Sequence, residues 1–286
     1  MRTVNYLTRR GMLRQGALGV LGGVLLARSN WVEAAELPLV RRVTLFHPAL
    51  PEPFDGLRLV QIADVHAGVF MPPGRLARVR DLVRRLEPEL VVFTGDQLDR
   101  RDVDAEIFVH GFAGVDAPLG VYGILGNHDH LAGSELATAA LTAIGAQPLV
   151  NDAVVLERGG ARLLLAGVDD YDTDDLLGPD FGVLARHEAD FRLLLCHRPH
   201  GWDAALGAGA EVTLAGHTHG GQITIPTTDV NLARVSTRYV AGAYRRGSDV
   251  LFVSRGIGVG KVPVRIGAPP EVDLITLRRG DAGPVA

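Results

Sequence analysis

Apolar positions in the first half of the chain recur in two rhythms, one typical of strands and one typical of helices. Continuous apolar runs predict buried strands over 57–64, 89–96 and 120–129. Apolar residues at helical spacing predict helices over 74–88, 102–114 and 133–146. Ser134 is the expected N-cap of the last helix. This alternation predicts an α/β fold in which neighbouring strands are parallel.

Strands dominate the second half of the chain. A hairpin is predicted over 153–167, with Gly159 and Gly160 at its turn. One helix is expected around 201–208, among further strands over 191–199, 211–219, 250–258 and 272–280. We expect two packed sheets with helices outside, in one domain over 57–280, followed by a tail over 281–286. Three prolines between 47 and 56 predict an irregular segment over 36–56.

The N-terminus differs from the rest of the chain. Arg9 and Arg10 stand side by side and precede an uncharged apolar run over 15–27. This run is shorter than the roughly 20 residues that span a bilayer, and it suits the apolar region of a signal peptide. The stretch TRRGML resembles a twin-arginine export signal. We therefore expect 1–35 to be such a signal or a membrane anchor. The twin-arginine translocase would then export the protein to a periplasmic or other extracytoplasmic location.

Composition narrows the classes of partner. Hydrophobic residues make up 47% of the chain and charged residues 22%, as in soluble globular proteins. The formal net charge is -4 and no basic cluster occurs in the body of the chain, so no nucleic-acid-binding surface is indicated. A single cysteine, Cys196, excludes an internal disulfide framework and is expected to be a small buried hydrophobe.

Side chains able to bind a metal follow five of the predicted strands, at the point where each strand ends. They are Asp64 and His66, Asp96 and Asp99, Asn127 with His128, His197, and His217 with His219. Because the carboxyl ends of parallel strands meet at one edge of a sheet, we expect these side chains to gather there. Each motif alone is compatible with an ordinary turn, but the recurrence after successive apolar runs favours a metal site.

Glycines surround the last of these motifs, LAGHTHGGQ over 214–222. A slim backbone allows several ligand-bearing loops to crowd around a metal. If the strand stays extended through this motif, His217 and His219 point to one face and can reach two neighbouring ions. Carboxylate, amide and imidazole ligands without a thiolate favour Mn, Fe, Zn, Co or Mg as the two divalent metal ions.

The series D-x-H, G-D-x-x-D, G-N-H-D, H and G-H-x-H, in this order over about 57–260, resembles the calcineurin-like metallophosphoesterases. The resemblance implies a four-layer αββα double β-sandwich with a two-metal centre. It implies that one ion is held by Asp64, His66, Asp96 and His219. The other would be held by Asp96, Asn127, His197 and His217, so that Asp96 bridges the ions. The N-terminal segment and the HTHGGQ stretch resemble an exported, phosphodiesterase-like branch of the family.

The resemblance also implies the chemistry, which is hydrolysis of a phosphoester, with a phosphodiester favoured, by hydroxide that two metal ions activate. His128 would protonate the leaving group or stabilise charge on the phosphate, and Asp99 would orient His128 and favour its charged form. Arg100 is either a contact to a phosphate oxygen or a solvated surface charge. The expected partner is a small-molecule or lipid phosphoester. The stretch 226–248 would shape the pocket mouth or form an ordinary surface excursion.

Other functions stay open. A pyrophosphate hydrolase of the UDP-2,3-diacylglucosamine type and a phosphomonoesterase would use the same metal centre. A non-catalytic metal-binding scaffold is the alternative from another class, although the presence of His128 argues against it. A dinucleotide-binding oxidoreductase is excluded because no G-x-G-x-x-G follows the first predicted strand.

Overall fold

The computed structural model describes residues 37–171, 178–222, 237–260 and 264–281. The twin-arginine-like segment over 1–35 lies outside these ranges, as do residues 226–236 of the stretch expected to shape the pocket mouth and residues 282–286 of the tail. Within the described ranges, no helix has the length and apolar character needed to cross a bilayer.

Strands are numbered in chain order through the described residues. They are β1 (Leu39–His47), β2 (Arg58–Ile62), β3 (Leu90–Thr94), β4 (Val121–Ile124), β5 (Gln147–Pro148), β6 (Asp152–Arg158), β7 (Ala161–Gly167), β8 (Phe191–Leu195), β9 (Val212–Ala215), β10 (Gly242–Arg246), β11 (Asp249–Val253) and β12 (Glu271–Arg279). The helices are α1 (Pro73–Arg85), α2 (Val103–Phe112), α3 (Asn127–Ala132), α4 (Ser134–Ala143) and α5 (Trp202–Gly207).

The strands form two mixed six-stranded sheets. The first has the order β1-β12-β2-β3-β4-β5, and β2 to β5 run parallel in it. The second has the order β10-β11-β9-β8-β7-β6, and β7, β8, β9 and β11 run parallel in it. The predicted hairpin is confirmed as the β6–β7 pair, in which Gly159 and Gly160 both have positive φ. The expectation of parallel neighbours in an α/β fold is therefore confirmed.

The two sheets pack face to face and are covered by helices on their outer faces. Leu59 and Val92 of the first sheet share one buried cluster with Leu165 and Leu193 of the second. Helices α1, α2 and α4 cover the first sheet through the buried side chains Val79, Phe108 and Leu141. Trp202 of α5 packs against the outer face of the second sheet. The layers follow the order αββα, which confirms the predicted fold class.

The structure differs from the sequence prediction in three local places. The stretch 36–56, predicted to be irregular, contains the nine-residue strand β1, which pairs with β12 along its full length. This pairing with a strand more than 200 residues away has no local sequence signal. Within 226–248, residues of β10 form an edge strand that the sequence did not predict. Ser134 is the first residue of α4 and not its N-cap, because the chain turns at Gly133, which has a φ of 120°.

One buried carboxyl group in the first sheet is poorly compensated. Asp273 of β12 is fully buried opposite Gln61 of β2, and Ser254, Arg41 and Arg255 favour its charged form less strongly than burial opposes it. Burial and the neighbouring Glu271 carboxylate raise the pKa of Asp273 to about 8. The folded protein therefore retains a proton that the unfolded chain releases near its ordinary pKa of about 3.9. The free energy of unfolding should therefore fall as the pH rises from about 4 to about 8.

Asp273→Asn removes the group that must hold a proton, so the substitution should stabilise the protein at pH 8 relative to wild type. The expected gain in free energy of unfolding is on the order of 2 kcal/mol at pH 8, and it should shrink at pH 5. Urea unfolding at both pH values measures it, with the exposed Asp116→Asn as the control. A change in stability that is the same at both pH values would show that Asp273 does not titrate in this range.

Candidate metal centre

Loops from both sheets bring the predicted ligands together at one edge of the sandwich. Among the described residues, three overlapping groups of side chains place their ligand atoms within 4.8 Å of one another. The groups are Asp64 with His66 and His219, His66 with Asp96 and His128, and Asp96 with His197 and His217. The side chains that follow the strand ends therefore gather at one edge, as the sequence predicted.

Asp96, which follows β3, occupies the middle of this cluster. Its Oδ2 lies 3.5 Å from His66 Nε2 and 3.4 Å from His197 Nε2, and its Oδ1 accepts a 2.8 Å hydrogen bond from the main-chain N–H of His128. Burial opposes ionisation of Asp96, but the charges and hydrogen bonding of the surrounding histidines, His197 first, hold its pKa well below the usual range. The ionised carboxylate can therefore face cations on two sides.

On one side of Asp96, two imidazoles face each other. His66 Nε2 lies 3.1 Å from His219 Nε2, and Asp64 Oδ1 lies 3.8 Å from the same His219 atom. Burial lowers the pKa of His219 well below its ordinary value, and nearby His66 and Arg265 act in the same direction. A neutral imidazole with its nitrogen directed at a carboxylate is a ligand suited to a divalent cation.

On the other side of Asp96, His197 and His217 form a second pair. His197 Nε2 lies 3.2 Å from His217 Nδ1, and His197 Nδ1 donates a 2.8 Å hydrogen bond to the Thr94 carbonyl oxygen. That bond fixes the ring so that Nε2 faces the cluster. Burial would lower the pKa of His197, but Asp96 raises it to about 10. A cation that binds here displaces a proton, so its affinity should rise with pH.

Asn127 supplies an observation that fits a metal ion at this site. It begins α3, and its Oδ1 atom is buried without a hydrogen-bond donor among the described residues. A buried amide oxygen left unpaired costs about 1–3 kcal/mol, so a partner outside the protein chain is expected. Oxygen and imidazole donors suit the divalent cations predicted from the sequence. Cys196 contributes nothing to the set, because its buried thiol donates to the Arg198 carbonyl oxygen.

The backbone conformation of the HTH motif differs from the one that the sequence predicted. His217 and His219 were expected on an extended strand, but β9 ends at Ala215 and the two residues have φ of 70° and 51°. Asp64, His66 and Asp96 also have positive φ. This left-handed conformation costs a non-glycine residue about 1–2 kcal/mol, and five instances at one site indicate strain stored for function. The turns, and not strand periodicity, direct the rings inward.

Two glycines are required by close approach of the loops. A Cβ on Gly95 would lie 2.4 Å from His197 Nδ1, and a Cβ on Gly126 would lie 2.4 Å from Asp96 Oδ1. Gly95 also has a φ of 93°. The expectation that a slim backbone lets the ligand-bearing loops crowd together agrees with these contacts.

The predicted residues that are not expected to be ligands are His128, Asp99 and Arg100. His128 Nδ1 lies 2.7 Å from the Asp99 carbonyl oxygen and 3.3 Å from Asp99 Oδ1, as expected for an orienting contact. Burial nevertheless lowers the pKa of His128, and the opposing effect of Asp96 and Asp99 is smaller. Asp99 thus favours the charged form of His128, as expected, although burial outweighs this effect in the site without cations. Arg100 is exposed, and its proposed phosphate contact stays a prediction.

Two residues outside the predicted ligand set support the site. Arg265 is fully buried, and its guanidinium group donates to His219 Nδ1 at 3.1 Å and to the carbonyl oxygens of Gly258 and Arg255. Nothing in its local sequence indicates this position. Asp129 is the second of these residues. Its carboxylate is buried and accepts main-chain hydrogen bonds from Gln97, Leu98 and Gly126, which fastens the loop after β3 to the loop after β4.

Comparison with known proteins gives a consistent result. A family model described as calcineurin-like phosphoesterase matches residues 57–221. The Bacillus subtilis protein named uncharacterized metallophosphoesterase YkuE is 33% identical over 282 residues, which cover 94% of each chain. A Danio rerio transmembrane protein with a metallophosphoesterase domain is 30% identical, over 97% of this chain and 66% of its own. Phosphodiesterase YaeI of Escherichia coli is 27% identical, over 95% of this chain and 99% of its own.

The shared position of Asp96 predicts that its removal affects more than one ion. Asp96→Ala should abolish binding of both cations, whereas Asp169→Asn should retain them, because Asp169 is a buried carboxyl outside the three clusters. Elemental analysis of the purified proteins measures the metal content. Circular dichroism checks that Asp96→Ala is folded. A folded Asp96→Ala protein with the full metal content of wild type would contradict the shared-ligand geometry.

Proposed function

Because the chain belongs to the calcineurin-like phosphoesterase family and is a metal-dependent phosphoester hydrolase, we propose that its substrate is a phosphodiester. The observation that carries this proposal is the placement of the Asp96 carboxylate between two pairs of imidazoles. Phosphodiesterase YaeI, which this chain resembles along nearly its whole length, supports the diester as the substrate class.

The ligand set proposed for the two ions is the one that the sequence motifs indicate. Asp64, His66, Asp96 and His219 would hold one cation, and Asp96, Asn127, His197 and His217 would hold the other. When bound, two divalent cations supply positive charge for the phosphate oxygens and lower the pKa of water, which makes hydroxide available near neutral pH. The protein contributes a buried, preorganised set of donors whose backbone is already in the required conformation.

His128 is proposed to handle the leaving group. Its Nδ1 donates to the Asp99 carbonyl oxygen, so the protonated ring carries its second proton on Nε2 and can pass it to the leaving oxygen. The ring packs edge-on against His66 at a centroid distance of 4.5 Å, which holds it beside the metal cluster. Arg100, on the loop that carries Asp99, is proposed to contact a phosphate oxygen of the substrate.

The cell location and the export route stay proposals. The paired arginines and apolar run of the N-terminal segment support export by the twin-arginine translocase and an extracytoplasmic location. The segment would then be removed, or it would remain as a membrane anchor. No nucleic acid is proposed as a partner, because the net charge is negative.

Hydrolysis of bis(p-nitrophenyl) phosphate tests the proposed activity. The protein should release nitrophenolate when manganese is present, and excess EDTA should abolish the rate, because the cluster needs its cations. Parallel assays with p-nitrophenyl phosphate and with a nucleoside-diphosphate sugar distinguish a monoesterase and a pyrophosphate hydrolase. A metal-loaded protein that hydrolyses none of these esters would favour the non-catalytic metal-binding scaffold.

His128→Ala separates proton transfer from metal binding. The variant should keep its metal content but lose about 10²–10⁴-fold in kcat on a diester with an alkyl leaving group. The loss should be much smaller with bis(p-nitrophenyl) phosphate, because nitrophenolate leaves without a proton. Equal losses on both substrates would show that His128 acts in some other way, and an unchanged rate on the alkyl diester would exclude the acid role.

A further inference from the structure

The exposed apolar side chains of this protein are concentrated at the edge that carries the metal centre. Seven large hydrophobic residues are exposed in the described part of the chain, and we name them the apolar rim: Leu37, Leu39, Val69, Phe70, Val103, Leu131 and Tyr171. Val69 is 73% exposed, Leu131 63% and Phe70 47%. Scattered exposed hydrophobic residues are ordinary on a soluble protein, but their restriction to one edge indicates an interaction surface.

Strand directions place all seven at that edge. Val69 and Phe70 follow β2, Val103 follows β3, Leu131 lies in α3 after β4, and Tyr171 follows β7. Leu39 pairs with Glu271 at the start of β12, and β12 is antiparallel to β2. The beginning of β1 therefore lies beside the end of β2, where the loop that bears Asp64 and His66 begins.

Contacts between loops make most of the rim continuous around the site. Ala67 bridges to Leu98, which joins the loop of Val69 and Phe70 to the loop before Val103. His130 Nε2 lies 2.7 Å from Asp169 Oδ1, which joins α3 to the segment that ends in Tyr171. Arg75 of α1 donates to the Phe70 carbonyl oxygen at 3.2 Å, which fastens that loop to the helix.

An apolar groove lies beside α3, the helix that carries Leu131 of the rim. It runs along α4 and has a volume of about 1090 Å³, with Leu125, Thr138, Ala139 and Val150 among its lining residues. His130 and Asp169 also line the groove, and His130 is two residues from His128. An elongated apolar group attached to a phosphodiester could therefore lie in the groove while its phosphate faces the metal centre.

We propose that the apolar rim rests on a lipid surface and that the substrate is a phosphodiester of a membrane lipid. The inference rests on the proposed phosphodiesterase function and specifies its substrate class. Exposed Arg100 lies at the same rim and complements lipid phosphates. The sequence before the rim agrees with a lipid contact. Leu37 belongs to the rim and follows the apolar run over 15–27 within ten residues.

A fluorophore at the rim tests the contact directly. Phe70→Cys, labelled with an environment-sensitive dye, should shift its emission to the blue when vesicles of phosphatidylcholine and phosphatidylglycerol are added. The same dye on Asp116→Cys, which precedes β4 at the opposite edge, should not respond. The native Cys196 should remain unlabelled, since its thiol is buried and burial raises its pKa to about 12. The N-terminal segment is present in both variants, so membrane binding through that segment alone would leave both dyes unshifted and overturn the proposal.

Catalysis provides a second readout. Phe70→Ser and Leu131→Ser should lower the rate on phosphatidylglycerol in vesicles about fivefold or more and leave the rate on bis(p-nitrophenyl) phosphate unchanged, whereas Asp116→Ser should change neither rate. If the wild-type protein hydrolyses neither phosphatidylglycerol nor bis(p-nitrophenyl) phosphate, the phosphodiesterase function itself is refuted. Activity on the soluble ester with no hydrolysis of vesicle lipid would refute only the lipid substrate. A blue shift that appears at high protein concentration without vesicles would identify a second copy of the chain as the occupant and overturn the proposal.

Discussion

The Asp96 carboxylate lies within 3.5 Å of imidazole nitrogens from both sheets, His66 from the first and His197 from the second. This arrangement requires the two sheets to meet at their edges with almost no space between the loops. Gly95 and Gly126 have no side chain where a Cβ would collide with His197 or Asp96. The rest of the fold must hold these groups together, although crowding and electrostatic repulsion oppose their close approach.

That support comes from a large buried interior. The clusters between the sheets and beneath the helices contain mostly fully buried Leu, Val, Ile and Phe side chains. Each contributes about 1.5–3 kcal/mol by leaving water, whereas each left-handed residue at the site costs about 1–2 kcal/mol. The core can thus offset the backbone strain at Asp64, His66, Asp96, His217 and His219. Arg265 and Asp129 add hydrogen bonds that hold neighbouring loops in place.

Much of the fold and of the site could be predicted from local patterns. Apolar runs located the buried strands that carry ligands, and the polar residue after each run located the ligand. What escaped prediction depends on distant partners. Strand β1 becomes regular only by pairing with β12, and Arg265 acquires its role by reaching His219, 46 residues earlier in the chain. The conformation of the HTH motif also escaped, because extended periodicity does not apply once β9 has ended at Ala215.

The proposed lipid surface gives the exposed apolar side chains and the metal centre a common orientation. The proposed hydrolysis itself depends on the carboxylate of Asp96 that the two cations share. The most direct measurement is the anomalous scattering of manganese in crystals of the protein. We expect two peaks, about 3.5–4 Å apart, on opposite sides of the Asp96 carboxylate, with the His66–His219 pair at one and the His197–His217 pair at the other. A single peak, or two peaks without Asp96 between them, would contradict the account.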